Sequence, residues 1–140
     1  MLSNADKVRK YCSFQDRCIQ EVRYKMRQLK MDTREAESLL KELLEEKFVD
    51  EERFVESFIR GKINIKRWGK QKIRFELQMR GIDTQLISEK MSKIDEETYQ
   101  SNIDYLVRNW YHDNPTGDRV KLLKFMYSKG YQPHELDNKK

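Results

Sequence analysis

The most prominent cluster of binding side chains in this sequence is a basic run from Arg60 to Arg80 that surrounds one tryptophan. Eight lysines and arginines lie in this span against one acid, Glu76. Ammonium and guanidinium groups bind phosphates and carboxylates, and an indole ring can stack on a base or occupy a partner's pocket. The run therefore predicts a contact surface for an anionic partner. Its predicted residues are Arg60, Lys62, Lys66, Arg67, Trp68, Lys70, Lys72 and Arg74.

Two features of this prediction stay open at the level of sequence. Trp68 stands at a turn, where an indole can also pack between the two helices that the turn joins. Charged runs can also be ordinary solvated helix faces. A second basic stretch near the start of the chain would form a matching secondary patch, with the residues Arg17, Arg23, Lys25 and Arg27.

No catalytic or metal-binding pattern accompanies the basic run. His112 and His134 are the only histidines, and neither has a cysteine or a second histidine at the spacing of metal ligands. Adjacent acids such as Glu51 and Glu52 fit helix starts, where they oppose the helix dipole. A glycine-rich phosphate loop is also missing. The sequence therefore predicts a protein that is not an enzyme and that needs no cofactor or metal.

Composition favours a helical protein with modest cores. Charged residues make up 38% and hydrophobic residues 37% of the 140 residues, with only five glycines and two prolines. The net charge of +5 is a weak indication of an anionic partner. No apolar run is long enough to span a bilayer, and the start of the chain lacks the core of a signal peptide, so we expect a cytoplasmic protein without membrane contact. Cys12 and Cys18 are expected to be reduced thiols.

Amphipathic helices must position the basic run. Before it, Phe54 and Phe58 belong to one apolar stripe, and after it Ile73 and Leu77 belong to another. Gly81 follows the second stripe and is predicted to end its helix in the left-handed conformation.

The remaining helices can be assigned in the same way. Asp32 and Asp50 are predicted N-caps. Leu44 and Val120 are assigned to buried stripes. The last four residues, DNKK, are predicted to be a disordered tail.

An internal repeat organises these helices. Residues Gln20–Asp32 align without gaps on Gln71–Asp83, and a third copy fits around 120–132. Each copy reads as a helix, a glycine-like stop, an apolar residue and a short helix, and a further helix precedes it. Units of this size bury little alone, so neighbours must stack. The repeat predicts an all-α fold of three tandem three-helix repeats in an elongated array, with units at 1–48, 49–94 and 95–140.

Three stretches carry a family resemblance: RCIQEVRYKMRQL, LLEEKFVDEERFVESFIRGK and WGKQKIRFELQMRGID. They resemble the RecX family, bacterial regulators of the RecA recombinase. The family's helix-start pattern is matched at Val49–Val55, and its helix-end pattern at Leu77–Ile82. The chain departs from the family at Val55, where alanine is usual, and at Lys30, where glycine is common. The resemblance covers about residues 5–136 and is strongest over 17–87.

The resemblance implies a curved, elongated monomer that binds along the groove of the RecA–single-stranded DNA filament. It implies that the protein mainly inhibits the filament's ATPase, strand-exchange and coprotease activities, in DNA repair, recombination and the SOS response. Direct contact with single-stranded or duplex DNA is compatible with this role. The alternative is a stand-alone helical nucleic-acid-binding protein that acts through its basic patches, whose binding would fall steeply with salt.

Overall fold

The computed structural model describes residues 1–137, and every regular element in that part of the chain is helical. The predicted disordered tail lies almost wholly outside the described residues. The α-helices are α1 Asn4–Phe14, α2 Ile19–Gln28, α3 Thr33–Glu45, α4 Glu51–Gly61, α5 Lys70–Met79, α6 Thr84–Met91, α7 Glu96–Asp113 and α8 Arg119–Ser128. A π-helical turn, Lys62–Lys66, extends α4, and a 3-10 turn, Pro133–Leu136, follows α8.

These elements group into three units, and the predicted all-α fold of three-helix repeats is confirmed. The first unit contains α1–α3, the second α4–α6, and the third α7, α8 and the 3-10 turn. The residue limits 1–48, 49–94 and 95–140 stay a prediction.

Aspartates begin five of the helices. Asp32, Asp50, Asp83, Asp95 and Asp118 each accept the backbone N–H of the residue three positions later. A carboxylate at this position satisfies an otherwise unpaired N–H and opposes the positive end of the helix dipole. The predicted caps Asp32 and Asp50 are confirmed.

The middle helix of every unit ends in the same way. The stop residues Lys30, Gly81 and Gly130 have φ values of 58°, 74° and 104°. Only glycine adopts this left-handed region without steric cost, so Lys30 takes the conformation at some expense. The next residue then donates its N–H to the carbonyl five positions earlier: Met31 to Met26 at 3.1 Å, Ile82 to Leu77 at 3.2 Å and Tyr131 to Met126 at 3.0 Å. The three units therefore share not only the sequence pattern but also the backbone hydrogen bond that ends the middle helix.

The buried side chains form two cores. The first unit has its own cluster, which includes Val8, Cys12 and Leu43. The second and third units share one larger cluster, which Cys18 joins from the start of α2. The two thiols are free and lie in different clusters. Burial raises the pKa of Cys18 to about 11, so this thiol is unreactive at neutral pH.

The molecule is extended. Its accessible surface is 9245 Å², whereas a compact monomer of this size would expose roughly 7,800 Å². The division of the buried side chains into two cores agrees with this excess, as in other repeat proteins.

Two predicted core residues are exposed. Val120 is 61% exposed, because the repeat register places it at the position of the exposed glutamine Gln71. Leu44 is 37% exposed and lies at the edge of the α3 stripe, whose buried members are Leu39, Leu40 and Leu43. Helical spacing alone did not distinguish a residue at the edge of a stripe from one at its centre.

Candidate partner-binding surface

The basic run wraps around the turn between α4 and α5. The π-helical turn ends where Trp68 donates its backbone N–H to the carbonyl of Lys62 at 2.9 Å. Arg67 then takes the left-handed conformation, with φ of 53°. Lys62 and Lys72 lie against Trp68, whereas Arg67 and Lys70 lie against tyrosines of α7. The eight predicted residues therefore do not share one set of contacts.

Trp68 is half-buried: part of its ring packs between helices, and part is open to a partner. Its ring packs edge-on against Phe58, with centroids 6.4 Å apart, and contacts the core of the second unit. The ammonium groups of Lys62 and Lys72 each lie 4.5 Å from its centroid. These are cation–π distances. The indole with its two lysines suits a carboxylate-bearing partner.

Positive charge around this ring is poorly compensated. Burial and the neighbouring charges of Lys66 and Arg80 lower the pKa of Lys62. Arg80 also lies over the Phe58 ring, at 4.9 Å. Its ion pair with Glu76, at 3.4 Å, brings one carboxylate into the area. An incoming anionic group would relieve this repulsion.

Two predicted contact residues instead join the second unit to the third. The guanidinium of Arg67 stacks on Tyr105 at 3.8 Å, and its carbonyl accepts the hydroxyl of Tyr131 at 2.8 Å. Lys70 lies 4.5 Å from the Tyr99 ring and 3.8 Å from the carboxylate of Glu96. These contacts give Arg67 and Lys70 a structural role at the seam, which is our name for the interface between the second and third units.

The remaining predicted residues face solvent or a groove. Arg60 contacts the hydroxyl of Ser57 at 3.4 Å. Lys72 donates to the carbonyl of Ser128, at the end of α8, at 3.2 Å. Lys66 and Arg74 have no acidic partner among residues 1–137. We call the following set the Trp68 surface: Phe58, Lys62, Lys66, Trp68, Lys72 and Arg74.

A groove of about 470 Å³ between α5 and α8 continues this surface. Lys72 and Arg74 line it together with Phe75 and Tyr127, which are 57% and 69% exposed. These two aromatic residues were missed as contact candidates. The repeat contained a signal for Phe75, because it aligns Phe75 with another aromatic residue, Tyr24, beside the apolar stripe. The structure shows that Tyr24 is likewise exposed, at 55%.

The predicted secondary patch divides into two parts. Arg23 and Arg27 lie with Arg80 on a groove between the first and second units, and so extend the Trp68 surface. Arg23 is neutralised there by a two-pronged pair with Glu37, at 2.9 and 3.2 Å. Arg27 lies 5.9 Å over the Tyr24 ring.

Arg17 and Lys25 belong to a different groove, on the first unit. Arg17 stacks on Tyr11 at 3.6 Å and donates to the Tyr11 carbonyl at 3.0 Å. Lys25 approaches the same ring at 5.5 Å.

The side chains that could bind a metal are scattered in the described part of the chain. No group of three histidine, cysteine or acidic side chains within residues 1–137 could hold a metal ion. His112 and His134 are exposed. Among the described residues there is also no helix of the length and apolarity that crossing a bilayer requires.

Known proteins resemble this chain in sequence and in fold. A family model described as RecX, second three-helix domain, matches residues 50–91. The regulatory protein RecX of Clostridium tetani is 30% identical over 106 residues, which are 71% of this chain and 48% of that protein. Regulatory protein RecX of Clostridium acetobutylicum is 36% identical over 73 residues, which are 52% of this chain and 33% of that protein. The chain thus matches about a third to a half of the length of these curated relatives.

Solved structures agree at the level of fold. The crystal structure of RecX from Lactobacillus salivarius superposes with a TM-score of 0.83 at 18% identity, over 96% of this chain and 90% of that one. A second crystal structure of regulatory protein RecX gives a TM-score of 0.82, over 95% of this chain and 71% of that one. The solved structures thus share the fold, while the family model and the sequence matches to regulatory RecX proteins show that the chain belongs to the RecX family.

Proposed function

We propose that this chain is a regulatory protein that binds the RecA filament on single-stranded DNA and inhibits its ATPase, strand-exchange and coprotease activities. The observation that carries the proposal is the combination of RecX family sequence with an extended three-unit array. An extended array can contact several protomers of a filament at once. Each contact then raises the effective concentration of the next.

The Trp68 surface is the proposed contact with the filament. It contains Trp68 and Arg74, which belong to two residue types that are enriched among the hot spots of protein interfaces. Its three lysines add positive charge for an anionic partner. Lys62, Trp68 and Lys72 are already ordered against each other, which reduces the entropy lost on binding. Lys66 and Arg74 lie at its rim, where charge mainly speeds and orients association.

A stepwise titration of RecA ATP hydrolysis tests the proposal. RecA is assembled on single-stranded DNA at moderate salt, and this protein is added at concentrations well below that of RecA. We expect inhibition, because one molecule that blocks or bridges a filament affects many protomers. Unchanged hydrolysis up to equal concentrations would overturn the proposal.

A second ATPase separates filament binding from competition for DNA. An unrelated helicase that depends on the same single strand serves as the control. If the protein acts on the filament, RecA is inhibited at protein concentrations that leave the rate of the helicase unchanged. Equal inhibition of both enzymes would mean that the protein sequesters the strand, and would contradict a filament contact.

A further inference from the structure

A basic groove on the first unit lies apart from the Trp68 surface. It runs between α1 and α2 and has a volume of about 340 Å³. It is lined by Leu2, Lys7, Lys10, Tyr11, Phe14, Arg17 and Lys25. We call it the N-terminal groove. Four of these seven side chains are cationic.

Charge in the N-terminal groove is unopposed. None of its lining residues is acidic. Lys7, Lys10 and Lys25 form no ion pair within residues 1–137. The charge of Glu21 acts on Tyr11 in the groove, but the Glu21 carboxylate is engaged at the start of α2, where it accepts the N–H of Cys18 at 3.1 Å. The groove is therefore complementary to a chain of negative charges.

An exposed aromatic ring accompanies these charges. Phe14 ends α1 and is 82% exposed. Exposure of an apolar ring to water is unfavourable in free energy, and a stacking partner would cover the ring. Tyr11 lies deeper, with Arg17 stacked on its ring at 3.6 Å. Phe14 is thus the ring available for stacking.

Among anionic occupants, a single-stranded nucleic acid matches these features best. A membrane surface would need an apolar helix face, but Val8 and Cys12 of α1 are buried in the core of the first unit. An acidic peptide would use the lysines but would leave Phe14 unpartnered. A single strand offers regularly spaced phosphates and unstacked bases together.

We propose that the N-terminal groove binds single-stranded nucleic acid, with Lys7, Lys10, Arg17 and Lys25 contacting phosphates and Phe14 stacking on a base. This site does not depend on the RecA proposal, since it is expected to bind a free strand. In a filament regulator, it would add a second attachment point away from the Trp68 surface.

Fluorescence anisotropy with a labelled dT oligonucleotide of about 15 nucleotides tests the site in the full chain. Four phosphate contacts predict that log K falls with log salt at a slope of about −2.8. Lys7→Glu combined with Lys10→Glu should remove about half of this slope. Phe14→Ala should weaken binding about tenfold while it leaves the slope unchanged.

A charge-matched variant is the control. Lys121→Glu with Lys124→Glu changes two exposed lysines of α8, also three positions apart, and alters net charge by the same amount. Binding that survives in this control and weakens in the Lys7/Lys10 variant supports the site. Equal weakening in both variants would overturn it, because diffuse charge would then explain binding. Displacement of the oligonucleotide by poly-glutamate at equal charge concentration, or full binding by Phe14→Ala, would also overturn the proposed occupant.

Discussion

Gly69 and Gly130 are in direct backbone contact at the seam between the second and third units. The N–H of Gly69 donates to the carbonyl of Lys129 at 2.7 Å, and the Gly130 carbonyl accepts the N–H of Gln71 at 3.2 Å. A Cβ added to Gly69 would overlap the Gly130 carbonyl. A Cβ on Gly130 would lie 2.6 Å from the Cβ of Lys72, in a residue whose φ is already 104°. The seam therefore depends on two hydrogen atoms in place of side chains.

We predict that Gly69→Ala lowers the free energy of unfolding by about 1–3 kcal/mol, because the methyl group must push two backbones apart. Urea denaturation followed by circular dichroism measures the effect. Gly61→Ala is the matched control, since nothing lies within 4 Å of the added Cβ and the residue is helical. It should be neutral or stabilise by about 0.5–1 kcal/mol. Equal stability of Gly69→Ala and the wild type would contradict the close seam.

The sequence predicted the turn at Trp68 and Gly69, but it did not predict that this turn packs against Gly130. The contact joins Gly69 to a residue far along the chain, and nothing in local spacing reports on such a pairing. By contrast, the stops at Gly81 and Gly130 could be predicted from one repeated pattern, because helix ends depend on local backbone geometry. Local rules thus predicted the units, while the way in which they stack came from the structure.

The same difference between local and long-range information explains why the basic run was predicted as one surface. Its residues were predicted as one surface because charge density is visible in sequence. The structure divides them, since Arg67 stacks on Tyr105 and Lys70 lies over Tyr99.

The separate N-terminal groove was predicted only in part, because Arg17 and Lys25 were assigned to the secondary patch while Phe14 was not. It combines Phe14 with Lys25, and their proximity depends on how α1 packs on α2.

Asp16 ties the first unit to the second. One carboxylate oxygen accepts the Nε–H of Arg53 at 2.8 Å, and the other accepts the hydroxyl of Ser57 at 2.7 Å. These groups hold the pKa of Asp16 below its usual range, Ser57 through its hydrogen bond and Arg53 through both hydrogen bond and charge. A depressed pKa in the folded state stabilises the fold above the unfolded-state pKa, near 3.9, and loses this effect as pH falls further.

We predict that Asp16→Asn lowers the free energy of unfolding by about 1–2 kcal/mol at neutral pH, after allowance for solvent screening. The difference from the wild type should stay constant above about pH 5 and shrink below pH 4. Urea melts at a series of pH values measure it. Glu37→Gln, which breaks the exposed pair with Arg23, should cost less. A pH-independent difference for Asp16→Asn would show that the carboxylate does not stabilise the junction by its charge.

Phe54 and Phe58 lie one helical turn apart on α4 but differ in burial. Phe54 is buried in the shared core, whereas Phe58 is half-buried beneath Lys62 and Arg80. Phe54→Ala should therefore cost about 3–5 kcal/mol, and Phe58→Ala only about 2 kcal/mol. Urea denaturation compares the two variants directly. If Phe58→Ala were the more damaging change, the orientation of α4 described above would be wrong.

Lys66 and Arg74 offer the sharpest test of the Trp68 surface, because neither has an acidic partner within residues 1–137. Reversal of Arg67 or Lys70 would instead break contacts with Tyr105 or Tyr99 and would confuse binding with folding. Lys66→Glu combined with Arg74→Glu should leave the circular dichroism and the melting temperature unchanged. We expect the concentration that half-inhibits RecA hydrolysis to rise about tenfold, equivalent to about 1.4 kcal/mol.

Arg34→Glu with Lys41→Glu provides the control for this variant, since it reverses two exposed charges on α3 and changes net charge equally. This control should inhibit like the wild type at every salt concentration. A similar loss in both variants would indicate long-range attraction between the protein and the filament, which salt screens over about 10 Å at 0.1 M. Wild-type inhibition by a folded Lys66/Arg74 variant would remove these two residues from the contact, and the aromatic groove of Phe75 and Tyr127 would then be the surface to change next.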